Sequence, residues 1–380
     1  MNAPQSASTT PATDTGSSRL VSLDALRGFD MFWILGGDSL AYALGKISNA
    51  PWARVLSEQL DHVAWEGFHF YDLVFPLFVF LMGVSTVFSL GKHQESSRRA
   101  AYVRLLRRSL LLYLLGLFYY GGRSLGDEPE MFRYVGVLQR IAICYLFTGL
   151  AVMHLSWRGI VGLAAALLVG YWAAMNFVPV PGFGAGVLEE GKNLANYVDQ
   201  RFLPGFKWDG DGQWDPEGLL SNVPAIASGL LGALAGIVLR QRDVPGTKRA
   251  AWLVMAGLAC LALGWLWGLQ FPIIKKLWTS SYVLVAGGYS FLLLALFYLV
   301  IDVWGKRRWA EPFLWIGANS ITIYLLAELL DFSKIVRRVL HQDTLESIAP
   351  YGDLLVALLS LALAVWICRE LYRRKIFLRV

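Results

Sequence analysis

The chain has 380 residues, of which 56% are hydrophobic and 16% are charged. Soluble domains carry about 25% charged residues, so this composition excludes a pair of soluble domains and also a disordered, fibrous or nucleic-acid-binding protein. The formal net charge of +6 is typical of a membrane protein whose cytoplasmic loops carry extra Lys and Arg.

The first residues, 1–18, are rich in Ser, Thr, Ala and Pro, without a basic segment or a continuous apolar run. This pattern predicts a disordered cytoplasmic tail rather than a cleaved signal, followed by one transmembrane domain over 19–380. The three cysteines lie within apolar runs and share no metal-ligand spacing, so we expect neither disulfides nor a metal site.

Apolar runs bounded by charge, Pro or Gly predict an all-α, polytopic helical bundle in the lipid bilayer. About ten transmembrane helices are expected, over 28–45, 70–91, 105–122, 135–155, 159–178, 219–239, 250–269, 281–303, 312–330 and 353–371. Most Lys and Arg residues fall on the cytoplasmic side if both termini are cytoplasmic, which is the orientation that the positive-inside rule favours. The longest interruption, 179–218, is then a Gly-, Pro- and Trp-rich outer loop suited to covering a substrate site.

Ionisable side chains at membrane depth are costly, so those near the outer helix ends are candidates for function. His62 can take a proton from an amine or hydroxyl, or act as a nucleophile on an activated acyl group. Glu66 would orient its ring if 62–69 is helical, and His69 is the rival histidine. Asp72 begins the second helix and is equally suited to capping it or to catalysis. Asp38, in the outer half of the first helix, joins His62 and Asp72 as a catalytic candidate.

Further polar residues predict a chamber that is open to the outside. The candidates for binding a substrate there are Glu66, Gln139, Arg140, Glu217, Trp214 and Glu328. Arg140 lies within an apolar helix and needs an anionic partner, so an ion pair with Asp38, Asp72 or Glu217 is the alternative interpretation. Tryptophans of the outer loops, such as Trp214, are suited to stacking on a sugar ring.

A second polar group is predicted near the inner face. Arg104, Arg107 and Arg108 recur at helical spacing, which is typical of contacts with anionic lipid headgroups. They are also suitable ligands for the phosphates of a nucleotide cofactor entering from the cytosol. Asn319 and Ser320 lie at middle depth in the ninth predicted helix, between this cluster and the outer chamber.

Several segments resemble one family of membrane acetyltransferases. They are "RLVSLDALRGFDMFWILGGDSL", "HVAWEGFHFYDLVFPLFVFLMGVS", "YVGVLQRIAICYL", "WDPEGLLSNVPAIASGLLGALAG", "LWTSSYVLVAGGYS", "GANSITIYLLAELL" and "RRKIFLRV". Their order, from Arg19 to Val380, is similar to that in the heparan-alpha-glucosaminide N-acetyltransferase family, and the segments resemble its bacterial NagX-type branch. Asp38 and Glu66 stand where the family has Asn, and Ala327 where the lysosomal members have His.

The resemblance implies transfer of an acetyl group from cytosolic acetyl-CoA to the amino group of a glucosamine-type sugar across a bacterial inner membrane. His62 matches the family's active-site histidine, while Arg104, Arg107, Arg108, Asn319 and Ser320 would contact acetyl-CoA without a metal. A homodimer is the assembly that it implies. The alternatives are a transporter of N-acetylglucosamine or a related sugar, and an O-acyltransferase acting on a periplasmic glycan.

Overall fold

The computed structural model describes residues 20–48, 50–91, 98–121 and 132–377, and these residues form helices joined by loops with a few isolated β-bridges. The predicted all-α fold is confirmed, whereas the predicted tail 1–18 lies outside the described residues. The helices are α1 Val21–Ile47, α2 Pro51–Gln59, α3 Val74–Gly91, α4 Arg98–Gly121, α5 Val137–His154, α6 Trp157–Phe177, α7 Leu194–Phe202, α8 Asn222–Arg240, α9 Gly246–Gly268, α10 Ser280–Phe297, α11 Glu311–Ala318, α12 Ser320–Leu330, α13 Phe332–Leu340, α14 Gln342–Ser347 and α15 Gly352–Arg373. A 3-10 helix, Phe70–Leu73, leads into α3, and a π-helical segment, Tyr298–Val303, extends α10.

Seven helical segments among the described residues are long and apolar enough to cross a membrane. They are Phe70–Leu90, Val137–His154, Trp157–Phe177, Asn222–Arg240, Gly246–Gly268, Ser280–Val303 and Gly352–Arg373. The other three predicted spans coincide with α1, with α4 and with the pair α11 and α12. The total of ten spans and the cytoplasmic location of both termini therefore stay predictions.

The predicted helix over 312–330 differs from the structure in one respect, because it is interrupted at Asn319. The backbone there leaves helical geometry, with φ −123° and ψ 23°, and separates α11 from α12. A short polar side chain competes with the helical backbone for hydrogen bonds, which explains why Asn is a weak helix former. Asn319 is only 2% exposed, and neither polar atom of its amide has a hydrogen-bond partner among the described residues.

Helix α8 forms the centre of the bundle, and glycines let α3 approach it closely. In α8, 78% of the apolar stretch is buried within the protein, against 22% in α9. A Cβ atom added to Gly83 would lie 2.0 Å from the carbonyl oxygen of Gly229, and one added to Gly232 would lie 1.9 Å from that of Phe80. Small residues at such crossings let membrane helices pack closely, which matters because no hydrophobic driving force acts between helices in lipid.

The two ends of the bundle differ in chemistry. At one end, the segment 178–221 packs over the loop before α3, where the Trp65 indole donates to the Leu188 carbonyl at 3.1 Å. At the other end, Arg27 donates to the Ser85 hydroxyl at 2.7 Å and the Ser22 hydroxyl bonds to Asp302. In the predicted orientation, the end covered by 178–221 is the outer one.

A glycine substitution tests the close contact of α3 with α8. We expect Gly232→Ala to lower the free energy of unfolding by about 1–3 kcal/mol or more, because its methyl group meets backbone that has no room to move. Gly170→Ala is the control, since nothing lies within 4 Å of its added Cβ. Thermal unfolding of the purified variants in detergent measures both, and equal melting temperatures would contradict the described packing.

Candidate active site

A cavity of about 240 Å³ lies at the outer end of the bundle, below the loop that carries His62. Apolar side chains of α3 and α5, including Phe75, Phe78 and Ile141, form most of its wall. The polar lining consists of His62, Tyr71, Glu217, Lys275, Ser320 and Tyr324. An apolar chamber with a few convergent polar groups is the usual form of a small-molecule site.

His62 lies on this wall and is oriented by Asp72. The Nδ1 atom of His62 is 2.8 Å from Oδ1 of Asp72, and the imidazole is 47% exposed. Asp72 is 1% exposed and its other oxygen accepts the backbone N–H of His69 at 3.0 Å. Because the carboxylate accepts the Nδ1 proton, the Nε2 lone pair of neutral His62 is available as a base or nucleophile. Asp72 thus caps the start of the helix and also binds the ring of His62, and its catalytic role stays a prediction.

The expectation that Glu66 orients His62 is wrong, since residues 61–69 are not helical. Glu66 is exposed and instead forms an antiparallel β-bridge with Ile274. Asp38 is not brought to His62 either. It is exposed on α1, and its carboxylate accepts the backbone N–H of Ser39 at 2.7 Å.

Lys275 is a site residue that the sequence analysis missed. Its Nζ atom lies 2.9 Å from Nδ1 and 3.0 Å from Nε2 of His62, and 3.4 Å from Oδ1 of Asp72. The ammonium of Lys275 is therefore close to both nitrogens of the imidazole and to the carboxylate that orients this ring. Burial lowers the pKa of Lys275, while the carboxylates of Asp72 and Glu217 act in the opposite direction. Nothing in the spacing of "FPIIKKLW" distinguishes Lys275 from its neighbour Lys276.

Glu217 reaches the same cavity from the segment before α8, and it is held by Arg133. Nη2 of Arg133 lies 2.6 Å from Oε2 of Glu217 and 2.6 Å from Oδ1 of Asp215. Burial raises the pKa of Glu217, and the charge of Arg133 opposes that rise. Arg133 was also missed by the sequence analysis, because its two carboxylate partners are more than 80 residues away in the chain.

Gln139 and Arg140 are both buried on α5, away from the cavity lining described above. The Nη2 atom of Arg140 donates to the Pro216 carbonyl at 3.0 Å and to the Ser221 hydroxyl, and its guanidinium lies over the Trp278 ring at 4.6 Å. The alternative of an ion pair with Asp38, Asp72 or Glu217 is wrong for the described structure. Carbonyl, hydroxyl and aromatic contacts accommodate the buried cation instead.

The expectation that Trp214 stacks on a substrate is wrong for this conformation. Trp214 is 1% exposed, because Trp65 packs against its ring at 5.9 Å and the Lys276 ammonium lies 5.6 Å from it. Trp208, in contrast, is 62% exposed. For Glu328, in α12, the side chain lies outside what the structure describes.

A second cavity of about 330 Å³ adjoins the first and contains arginines. It is lined by Arg27, Ser85 and Arg108, whereas Arg104 and Arg107 are not part of its lining. The cavities share wall residues, which are Phe78, Leu138, Ile141, Ser320 and Ile321. Ser320 therefore lies where the arginine-lined cavity meets the cavity of His62, next to the unpartnered amide of Asn319. Arg27, which the sequence analysis also missed, belongs to this cluster through the packing of α1 on α11.

Metal ligation is not supported within the ranges that the structure describes. No group of three or more His, Cys, Asp or Glu side chains suited to a metal ion occurs in them.

Asp199 in α7 gives a test of how the segment 178–221 is attached. Its carboxylate accepts the backbone N–H groups of Leu219 at 2.8 Å and Asp215 at 3.4 Å, and burial raises its pKa to about 6. A raised carboxyl pKa adds stability below about pH 4 that is lost as pH rises through about 6, with a slope of up to about 1.4 kcal/mol per pH unit. We expect Asp199→Asn to remove this slope from thermal unfolding measured over pH 4–7. The exposed control Asp343→Asn should keep it, and a slope unchanged in Asp199→Asn would contradict the assignment.

Comparison with known proteins agrees with the resemblance drawn from the sequence motifs. Residues 19–199 match the family described as heparan-alpha-glucosaminide N-acetyltransferase, catalytic. The chain is 28% identical to human heparan-alpha-glucosaminide N-acetyltransferase over 427 aligned positions, which cover 95% of this chain and 60% of that protein. It is 27% identical to the mouse protein of the same name, with 84% of this chain and 56% of that protein covered.

The chain spans about 60% of the length of the curated relatives that it matches. The family match includes His62, Asp72 and the arginines of the second cavity, and the human relative aligns with nearly the whole chain. These comparisons agree that the chain is similar to the heparan-alpha-glucosaminide N-acetyltransferase family.

Proposed function

We propose that this protein is a transmembrane acetyltransferase, which passes the acetyl group of cytosolic acetyl-CoA to the amino group of a glucosamine-type sugar on the outer side. The observation that carries the proposal is the junction of two cavities at Ser320, one lined by arginines and the other by His62. A donor entering from one side and an acceptor entering from the other would meet there. The relatives' names supply the amino-sugar chemistry.

The arginine-lined cavity is the proposed site for the phosphates of acetyl-CoA. Arg108 lies 4.8 Å from the Tyr145 ring, and its Nε atom is buried without a hydrogen-bond partner among the described residues. Arg27 lines the same cavity from α1. Guanidinium groups bind phosphate through paired hydrogen bonds, so two arginines facing one cavity suit this ligand. The thioester end of acetyl-CoA would pass Asn319 and Ser320 to reach His62.

At His62, two routes fit the geometry. In the first, Nε2 attacks the thioester carbonyl, the carbon–sulfur bond breaks, CoA leaves, and the sugar amine then takes the acetyl group from His62. In the second, Nε2 removes a proton from the sugar amine while that amine attacks the thioester carbonyl directly, the carbon–sulfur bond then breaks, and the protonated ring returns the proton to the departing CoA thiolate. Asp72 serves both routes, since it holds the ring in the tautomer that leaves Nε2 without a proton.

The setting of this reaction completes the proposal. We propose an inner (cytoplasmic) bacterial membrane, with both termini in the cytoplasm and the sugar in the periplasm. Residues 19–380 would act as one catalytic unit, as a homodimer by resemblance to the family. The donor is made inside and the acceptor lies outside, so a membrane-spanning site is what the reaction requires.

A transporter remains the second candidate, because one observation favours it. The interruption between α11 and α12 at Asn319 places non-helical backbone at a cavity, which is a feature of transporter binding sites. Sugar flux into liposomes that continues in a His62→Ala variant, without acetyl-CoA turnover, would support that candidate.

N-acetylglucosamine as the product, in place of an O-acetyl ester, separates the proposal from an O-acyltransferase.

The central residue is tested by substitution. We expect purified wild-type protein in nanodiscs to release CoA from acetyl-CoA in a glucosamine-stimulated reaction, and His62→Ala to lower kcat about 100-fold or more. His69→Gln is the matched control, because its Nδ1 faces the Asp61 carbonyl at 3.1 Å and it does not line the cavity. Release of CoA that is the same in His62→Ala as in wild type would contradict the proposal.

The donor site is tested at the other cavity. We expect Arg27→Met and Arg108→Met each to raise the KM for acetyl-CoA about 10-fold, because each loses a charged hydrogen bond to phosphate worth about 1.5–3 kcal/mol. The value of kcat should change less than the KM for acetyl-CoA. Arg158→Met, an exposed inner-face arginine, is the control. An unchanged KM in both cavity variants would place the phosphates elsewhere.

A further inference from the structure

We propose that Lys275 is a catalytic residue of this site, whose ammonium group binds the negative charge that develops on the acetyl oxygen during transfer. This inference rests on the proposed function and adds to it an assignment for a cation that the residue pattern did not distinguish.

The backbone on either side of Lys275 is fixed against the His62 loop. The N–H of Gly67 donates to the Ile273 carbonyl at 2.9 Å, and Ile274 pairs with Glu66 in an antiparallel bridge. The Ile274 N–H donates to the Thr279 hydroxyl at 3.1 Å. These bonds hold the segment in a single register, so Lys275 and His62 are positioned together rather than by independent loops.

Two adjacent lysines of this segment have different surroundings. The Nζ atom of Lys275 points into the cavity and contacts His62 and Asp72, with 22% of its side chain exposed. Lys276 points to the segment 178–221, where its Nζ lies 2.9 Å from Oδ2 of Asp209. Only the first is within reach of the reacting atoms, and the second provides a matched control.

In either route, negative charge develops on the carbonyl oxygen of the thioester, beside Nε2 of His62. Attack on the thioester carbonyl, by Nε2 or by the sugar amine, converts the carbonyl carbon to a tetrahedral centre and moves an electron pair onto its oxygen. Collapse of this intermediate returns the pair, breaks the carbon–sulfur bond and releases CoA. A preorganised cation at this position, in a largely apolar cavity, stabilises the oxyanion more than it stabilises the uncharged substrate. The Nζ atom, 3.0 Å from Nε2, is placed for this role.

The charges that face Lys275 also maintain its positive charge. Asp72 lies in direct contact with it, Glu217 lines the same cavity from the segment before α8, and Lys276 is the adjacent like charge. His62 is the remaining titratable contact. Because burial lowers the pKa of Lys275, this lysine loses its proton at a lower pH than an exposed lysine does. The protonated form is the one that supports activity. The rate should therefore fall on the alkaline side as Lys275 loses its proton.

The test compares Lys275→Met, Lys275→Arg and Lys276→Met in the glucosamine-dependent release of CoA, with acetyl-CoA binding measured separately on each variant. We expect Lys275→Met to lower kcat about 100-fold, the size typical for loss of one oxyanion donor, while acetyl-CoA still binds. Lys276→Met should keep the wild-type kcat. Lys275→Arg should retain more activity than Lys275→Met, and its alkaline limb should move to higher pH because a guanidinium stays charged.

The outcomes separate this inference from the function on which it rests. Wild-type kcat in Lys275→Met would overturn the role of Lys275 while leaving the acetyltransferase intact. An alkaline limb at the same pH in Lys275→Arg as in wild type would also contradict it, because a structural lysine would not set that limb. Absence of CoA release by the wild-type protein would refute the proposed function itself.

Discussion

The buried carboxylate of Asp72 is the constraint on which the outer end of the bundle depends. A charged group that is 1% exposed at the start of a membrane helix is costly unless every lone pair finds a partner. Asp72 meets this requirement with His62, the backbone N–H groups of Val63 and His69, and Lys275. Three of these partners lie on the loop that carries His62 and the fourth is Lys275, so satisfying one carboxylate assembles the base, its loop and the cation together.

Close helix contacts set the position of the second cavity. An added Cβ on Gly28 of α1 would lie 1.7 Å from the Phe313 carbonyl oxygen, and one on Gly317 would lie 1.9 Å from that of Asp24. This contact brings α1 against α11 just before the interruption of the helix at Asn319. The break ends α11 beside the arginine-lined cavity and begins α12 at Ser320, where the two cavities adjoin. The packing of glycines thus places an interrupted helix at the junction that the proposed transfer requires.

The helices and part of the site were accessible from sequence for a clear physical reason. Backbone N–H and C=O groups in a bilayer must be hydrogen-bonded within the protein, so a long apolar run that crosses the bilayer forms a helix. The positions of the helices therefore follow from composition. Asp72 and His62 were found because a carboxylate at a helix start and a nearby histidine are both unusual at that depth. Arg133 and Lys275 were missed because their partners are distant in the chain, and Arg27 was missed because the other residues that line its cavity are distant. Only the tertiary packing brings Lys275, more than 200 residues from His62, to its ring.

The errors have equally specific causes. Glu66 was expected on a helix with His62, but pairing with Ile274 makes that loop extended and turns the carboxylate outward. Trp214 was expected to be open to a sugar, whereas Trp65 and Lys276 cover its ring. In both cases the side chain was suited to the predicted role, and a neighbour from another segment decided its actual position.

The central claim is that donor and acceptor meet at the junction of the two cavities, and cryo-electron microscopy of the protein with bound CoA tests it most directly. The account predicts density for the phosphates between Arg27 and Arg108, with the thiol arm extending past Ser320 toward His62. Density for CoA outside these cavities, or with its thiol directed away from His62, would contradict the account.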